Sequence, residues 1–274
     1  MKFAIVLSTD TTRFDAATFQ GNFEENAALI AGLGYQGVEL AVRDPALIDL
    51  AAIAQVLSKH NLAVPAIGTG QAYGEEKLSF TSVDQEVRRQ AIERIKAQIR
   101  LAAEFEAVVI LGLIRGVVGP GLTYSQAMDW LTLALQECAE TAGSFGVRLA
   151  IEPINRQETN LINTIDEALV LLSQVGAAPS TLGLLPDTYH MNIEEPSIEE
   201  SLRQAATHLF HFHVADSNRC YPGAGDLNFR EILSQLRDEL GYQGWVSAET
   251  LPFPEAATAA RRGLTHLQAC LSRS

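Results

Sequence analysis

Glu152, Asp187, His213 and Glu249 are the residues of this sequence whose types and spacing point to chemistry. Each closes a short apolar run, and successive members lie 35, 26 and 36 residues apart. Each interval matches about one strand–helix unit. Barrel enzymes of parallel strands carry their chemistry at the C-terminal ends of those strands. Four consecutive strands would therefore deliver one ligand-competent side chain each to the same rim. Singly, each residue has a plainer reading: a helix cap or ion-pair partner for the carboxylates, a hydrogen-bonded core imidazole for His213. Together they would be costly to desolvate unless a cation compensated them. Three carboxylates and one imidazole suit Mn2+, ahead of Mg2+ and Co2+, with positions left for substrate oxygens. A zinc site would more often bring further histidine or cysteine.

The elements that must position these residues are legible as alternating patterns. Strand-like apolar runs occur at Lys2–Leu7, Gly37–Ala41, Ala63–Ile67, Ala107–Leu111, Val147–Glu152, Thr181–Pro186, Leu209–Val214 and Trp245–Glu249. Amphipathic stretches separate them, among them Gln85–Phe105, Ser125–Ala142 and Asn163–Val175. Gly34, Gly146, Gly176 and Gly241 stand shortly before strands, where helices exit. Eight such units in 274 residues predict an α/β fold, a (β/α)8 TIM barrel forming a single catalytic domain over residues 1–274. An open doubly wound sheet would usually bring a glycine-rich phosphate loop, and Gly68-Thr69-Gly70-Gln71-Ala72-Tyr73 lacks the third glycine.

Composition narrows the partners. A formal charge of −13 and a pI near 4.9 argue against a nucleic-acid partner, which needs a basic footprint. Phe3–Leu7 is too short for a signal core or membrane span. Cys138, Cys220 and Cys270 are odd in number and form no CxxC pair, as expected of reduced thiols in a cytoplasmic protein.

The strings IEPINRQET (151–159), LPDTYHMNIEE (185–195), HFHVADSNR (211–219) and SAET (247–250) resemble the xylose-isomerase-like sugar isomerase and epimerase superfamily. Within it they look most like ketose 3-epimerases and hydroxypyruvate-isomerase-type barrels. GYQGVELAVRDP (34–45), AIGTGQAY (66–73) and GLIRG (112–116) look like the 5-keto-L-gluconate epimerases. The resemblance implies metal ligation by Glu152, Asp187, His213 and Glu249, with Glu152 and Glu249 also the catalytic acid/bases. It implies that His190 and Arg219 contact substrate and that Glu158 lies beside them. It further implies a homodimer or homotetramer, and a keto sugar or keto sugar acid as the small-molecule partner.

The chemistry explains the residue types. Epimerising a carbon beside a carbonyl means removing a weakly acidic proton and returning one to the opposite face. A chelated metal stabilises the enediolate, and two carboxylates exchange the roles of base and acid. Arg219 would hold the enediolate oxygen, and His190 a substrate hydroxyl, oriented by Glu158. His211, two residues before His213, should lie one layer deeper as a supporting or core histidine. Glu39, Arg43, Gln71, Tyr73 and Arg115 follow the second to fourth strands on the same rim. Gln71 would line the substrate site, and Arg43 or Arg115 could grip a substrate carboxylate. The alternatives are an aldose–ketose isomerase such as hydroxypyruvate isomerase, an endonuclease on a related barrel and a non-catalytic binding barrel. The charge and the single ligand set oppose the endonuclease.

Overall fold

A computed structural model describes residues 1–272, so the last two residues of the expected domain lie outside the described residues. Lys2–Ser8 forms β1, and every residue after Lys2 is buried. Strands of this kind, apolar on both faces, belong to parallel sheets covered by helices. The others are β2 (Gly37–Ala41), β3 (Ala66–Gly68), β4 (Val108–Leu111), β5 (Arg148–Ile151), β6 (Leu182–Leu184), β7 (Phe212–Val214) and β8 (Trp245–Ala248). All pair in parallel, in the order β6-β5-β4-β3-β2-β1-β8-β7. Parallel bridges Leu184–Leu209 and Asp187–His213 then join the two ends and close the barrel. Phe210 N donates to Leu184 O at 2.9 Å, and His213 N to Pro186 O at 3.0 Å.

Helices wrap the outside: α1 (Phe23–Leu33), α2 (Leu50–Lys59), α3 (Gly70–Glu76), α4 (Gln85–Ala103), α5 (Tyr124–Phe145), α6 (Ile165–Val175), α7 (Thr188–Glu194), α8 (Ile198–Ala205), α9 (Phe229–Ser234) and α10 (Ala256–Leu271). Their ends follow local chemistry. Thr123 and Gln126 form a reciprocal cap at the start of α5. Thr164 accepts from Glu167 N, so α6 begins two residues later than its amphipathic pattern. Gly34, Gly146 and Gly176 sit left-handed at the ends of α1, α5 and α6.

The two-residue period of the strands divides the core and builds the site. Phe3, Ile5, Leu7, Val38, Leu40, Leu149, Ile151, Phe212 and Val214 face the helices in one large cluster. Each such buried side chain contributes about 1.5–3 kcal/mol. The alternate residues face the barrel axis. Deep inside these are small or apolar, with Ala66, Val108, Ile110, Ala150 and Leu185 packed together. Nearer the rim the same inward parity places Glu39, His211, His213, Glu152, Asp187 and Glu249.

The regular ladders are shorter than the apolar runs, because β3, β6 and β7 keep only three paired residues each. Glu152 and Glu249 consequently lie one residue past β5 and β8, Asp187 follows β6, and His213 sits within β7. Among the described residues, no helix is long and apolar enough to cross a membrane.

Candidate metal centre and active site

The inward parity brings the four spaced residues together. His213 Nδ1 lies 3.5 Å from Glu152 Oε1, 3.6 Å from Asp187 Oδ2 and 4.0 Å from Glu249 Oε1. One ligand atom from each of the four falls within 4.8 Å of all the others. Glu152 Oε1 and His213 Nδ1 are buried without any hydrogen-bond partner. Buried polar atoms of a native protein are normally satisfied. Two unpartnered ligand atoms 3.5 Å apart, inside a group of three carboxylates, fit a shared divalent cation.

Asp187 serves two purposes at once. Its Oδ1 caps α7 by accepting from Tyr189 N at 2.6 Å and His190 N at 3.4 Å, while Oδ2 faces His213. The plain reading of this aspartate as a helix cap is thus true of one oxygen, and the other remains directed at the cluster.

Proton affinities report the same field. Burial raises the Glu249 carboxyl well above its usual range, and the charges of Glu152 and Asp187 add to the shift. Burial works against a charged His213. The Glu39 carboxylate and the contacts with Asp187 and Glu152 outweigh it and raise the imidazole well above its ordinary value. Asp187 moves down to about 2, because His213, His190 and Arg219 overcome the burial that opposes its charge.

His190, Glu158 and Arg219 stand around this cluster, though not linked as the sequence suggested. Asn155 Nδ2 contacts His190 Nδ1 at 2.8 Å and donates to Glu158 Oε1 at 3.1 Å. Asn155 Oδ1 accepts from Gln157 N at 3.0 Å, which fixes the amide's orientation. His190 Nδ1 is therefore an acceptor, and its proton sits on Nε2, 4.0 Å from Glu152 Oε1. Asn155, rather than Glu158, orients His190. Glu158 instead accepts from Arg219 Nη1 at 2.8 Å, and Arg219 Nη2 lies 3.6 Å from Glu249 Oε2.

Arg219 itself is left-handed, with φ 61°. Such a conformation costs a non-glycine residue about 1–3 kcal/mol. Buried Asp216 holds the loop that imposes it, accepting from Ser217 N, Gly223 N and Leu227 N at 2.8–3.1 Å. The Asp216 backbone carbonyl also accepts from Arg219 N at 2.8 Å.

A cavity above the cluster is walled by Val6, Phe14, Ala41 and Ile154, with Glu39, Gln71, Glu158, His190 and Arg219 as polar lining. Gln71 thus stands where the sequence placed it, its Nε2 donating to Ser8 Oγ at 2.7 Å. The two rim arginines do not. Arg115 is fully buried, donating to Leu161 O, Gly112 O and Ile162 O at 2.9–3.0 Å. Burial lowers its pKa to about 10, and its guanidinium braces the loop behind the site. Arg43 lies against Glu75 and Glu76 at 3.6 and 3.7 Å. Neither lines the cavity, so neither is placed to grip a substrate carboxylate inside it. Tyr73 also stays outside it, its ring beneath Lys77.

Sequence reasoning missed Asn155 and Asp216, and placed Glu39 on the rim without a role. Glu39 had a signal, since a charge inside the buried run GVELA requires a partner. That partner is a pair of histidines: His211 Nε2 and His213 Nε2 lie 3.0 and 2.9 Å from Glu39 Oε2. His211 is fully buried one layer deeper, as expected.

Residues 27–270 match the family model of the xylose isomerase-like TIM barrel, and the chain belongs to that family. Its relatives narrow the class. The chain is 30% identical over 239 residues to L-ribulose 3-epimerase of Mesorhizobium japonicum, covering 86% of this chain and 78% of the relative. It is 30% identical over 226 residues to ketose 3-epimerase of Arthrobacter globiformis, covering 79% and 73% respectively. The fold matches that of D-allulose 3-epimerase from Methylomonas sp. in complex with D-allulose, with TM-score 0.82 at 24% identity over 98% of this chain and 96% of that one. The protein is a sugar epimerase/isomerase.

Proposed function

We propose that the protein is a divalent-metal-dependent epimerase acting on the carbon beside the carbonyl of an uncharged ketose. The observation that carries this reading is the buried set of Glu152, Asp187, His213 and Glu249, with two ligand atoms lacking any other partner. Held by those four residues, a divalent ion would supply Lewis acidity toward the carbonyl and its neighbouring hydroxyl. Mn2+ suits the donor set best, with Mg2+ and Co2+ next.

The remaining steps belong to the chain. Glu152 and Glu249 come from β5 and β8, non-adjacent strands on either side of the cluster. One carboxylate withdraws the proton and the other returns one to the opposite face. Arg219, buttressed by Glu158, donates to the oxygen on which negative charge develops. His190, with its proton held at Nε2 by Asn155, donates to a sugar hydroxyl. Gln71 donates one amide hydrogen to Ser8 and keeps its carbonyl for a second hydroxyl.

An uncharged substrate is favoured over a keto sugar acid by the state of the cations. Arg219 alone among the arginines and lysines lines the cavity in the described residues, and it is already paired with Glu158 and faces Glu249. A sugar carboxylate would meet three ligand carboxylates, and Arg219 is already committed to Glu158 and to the oxygen that gains charge. D-tagatose is accordingly expected to exceed 5-keto-L-gluconate in kcat/KM by about tenfold or more, measured by epimer formation with the Mn2+-loaded enzyme. The reverse order would return the substrate to the sugar acids, and an aldose product would return the reaction to the isomerases.

A further inference from the structure

We infer that Glu39 is a positioning residue of the metal centre, whose carboxylate determines which nitrogen of His213 faces the acidic ligands. The inference deepens the proposed function and rests on its metal reading. A neutral imidazole carries one N–H and one lone pair. Glu39 Oε2 is an acceptor 2.9 Å from His213 Nε2, so the proton belongs on Nε2. The lone pair then falls on Nδ1, which points at Glu152, Asp187 and Glu249 and has no other partner. The opposite tautomer would set a lone pair against a carboxylate oxygen and give up the bond.

Glu39 is itself held in place. The same Oε2 accepts from His211 Nε2 at 3.0 Å, and the two imidazoles meet nearly edge to face with centroids 5.5 Å apart. His211 and His213 lie 172 and 174 positions from Glu39 in sequence, and all three are fully buried. His211 therefore anchors the carboxylate, and the carboxylate orients the ligand. A carboxylate behind a ligating histidine also raises the basicity of the nitrogen toward the ion.

The test is Mn2+ binding by calorimetry to metal-stripped protein. Glu39→Ala is expected to weaken binding about 10- to 100-fold, and Glu39→Gln, which keeps the shape and an acceptor oxygen but removes the charge, to fall at the low end of that range. Ile99→Ala, a cavity in the helix layer remote from the site, is expected to keep wild-type affinity despite its lower melting temperature. Wild-type affinity in either folded Glu39 variant overturns the inference. So does an equal loss in Ile99→Ala, which would assign the effect to general stability. Failure of the wild-type chain to bind Mn2+, Mg2+ or Co2+ would instead overturn the metal reading and this inference with it.

Discussion

Glu152→Gln and Glu249→Gln are each expected to lower kcat by about 10²- to 10⁴-fold, the range of a lost general acid or base. Glutamine keeps the size of the side chain and an oxygen toward the cation but cannot carry the migrating proton. The two variants should differ in a second readout. Each retains one of the two carboxylates, so each should still exchange the substrate proton that faces the surviving group. Glu152→Gln should therefore wash deuterium into one epimer, and Glu249→Gln into the other, with little interconversion in either case. Loss of exchange from both epimers in both variants would mean that the glutamates act only as ligands. An enzyme that epimerises normally with either change would remove that residue from the mechanism.

Stripping the ion is expected to abolish turnover and to soften the fold. Saturation at about 1,000 times Kd stabilises the folded state by about 4 kcal/mol, which for a chain of this size corresponds to a melting shift of about 10 °C. Protons take part in the exchange. In the ion-free site His213 and Glu249 both hold their protons to higher pH than usual, the first because of surrounding carboxylates and the second because of burial. An entering cation must displace them, so affinity should climb with rising pH and level off above those raised values. Calorimetry in buffers of different ionisation enthalpy would count the protons released. An affinity flat across pH 5–8, or a melting temperature indifferent to the ion, would contradict this account.

The candidate ligand cluster was legible because it follows from two periodicities, one βα unit along the chain and two residues along a strand. The same parity placed His211 beneath His213, where it is found. Sequence could not show what lies across the barrel. Glu39 meets His213 over a separation of 174 residues, with β1 and β8 between their strands. Only closure of the sheet makes that contact. Nor does position after a strand settle where a long side chain turns. Arg115 stands in a one-turn helix that folds its guanidinium back onto the carbonyls of Leu161 and Ile162. Arg43 meets Glu75 and Glu76 at the C-terminal end of α3 rather than the cavity. Asn155 took the role expected of Glu158 because the loop after β5 turns its amide toward His190. These misplacements share one cause: loop side chains are positioned by tertiary partners, whereas the barrel strands fix direction by parity alone.

In the proposed function, two carboxylates around one metal centre move a proton at the carbon beside a ketose carbonyl. Proton NMR of D-tagatose incubated with Mn2+-loaded protein in D2O, recorded after removal of the metal, tests it directly. The expected result is a new epimer carrying deuterium at the carbon beside the carbonyl. An epimer that retains its original hydrogen, or a metal-replete protein that exchanges neither this nor any other ketose, would contradict it.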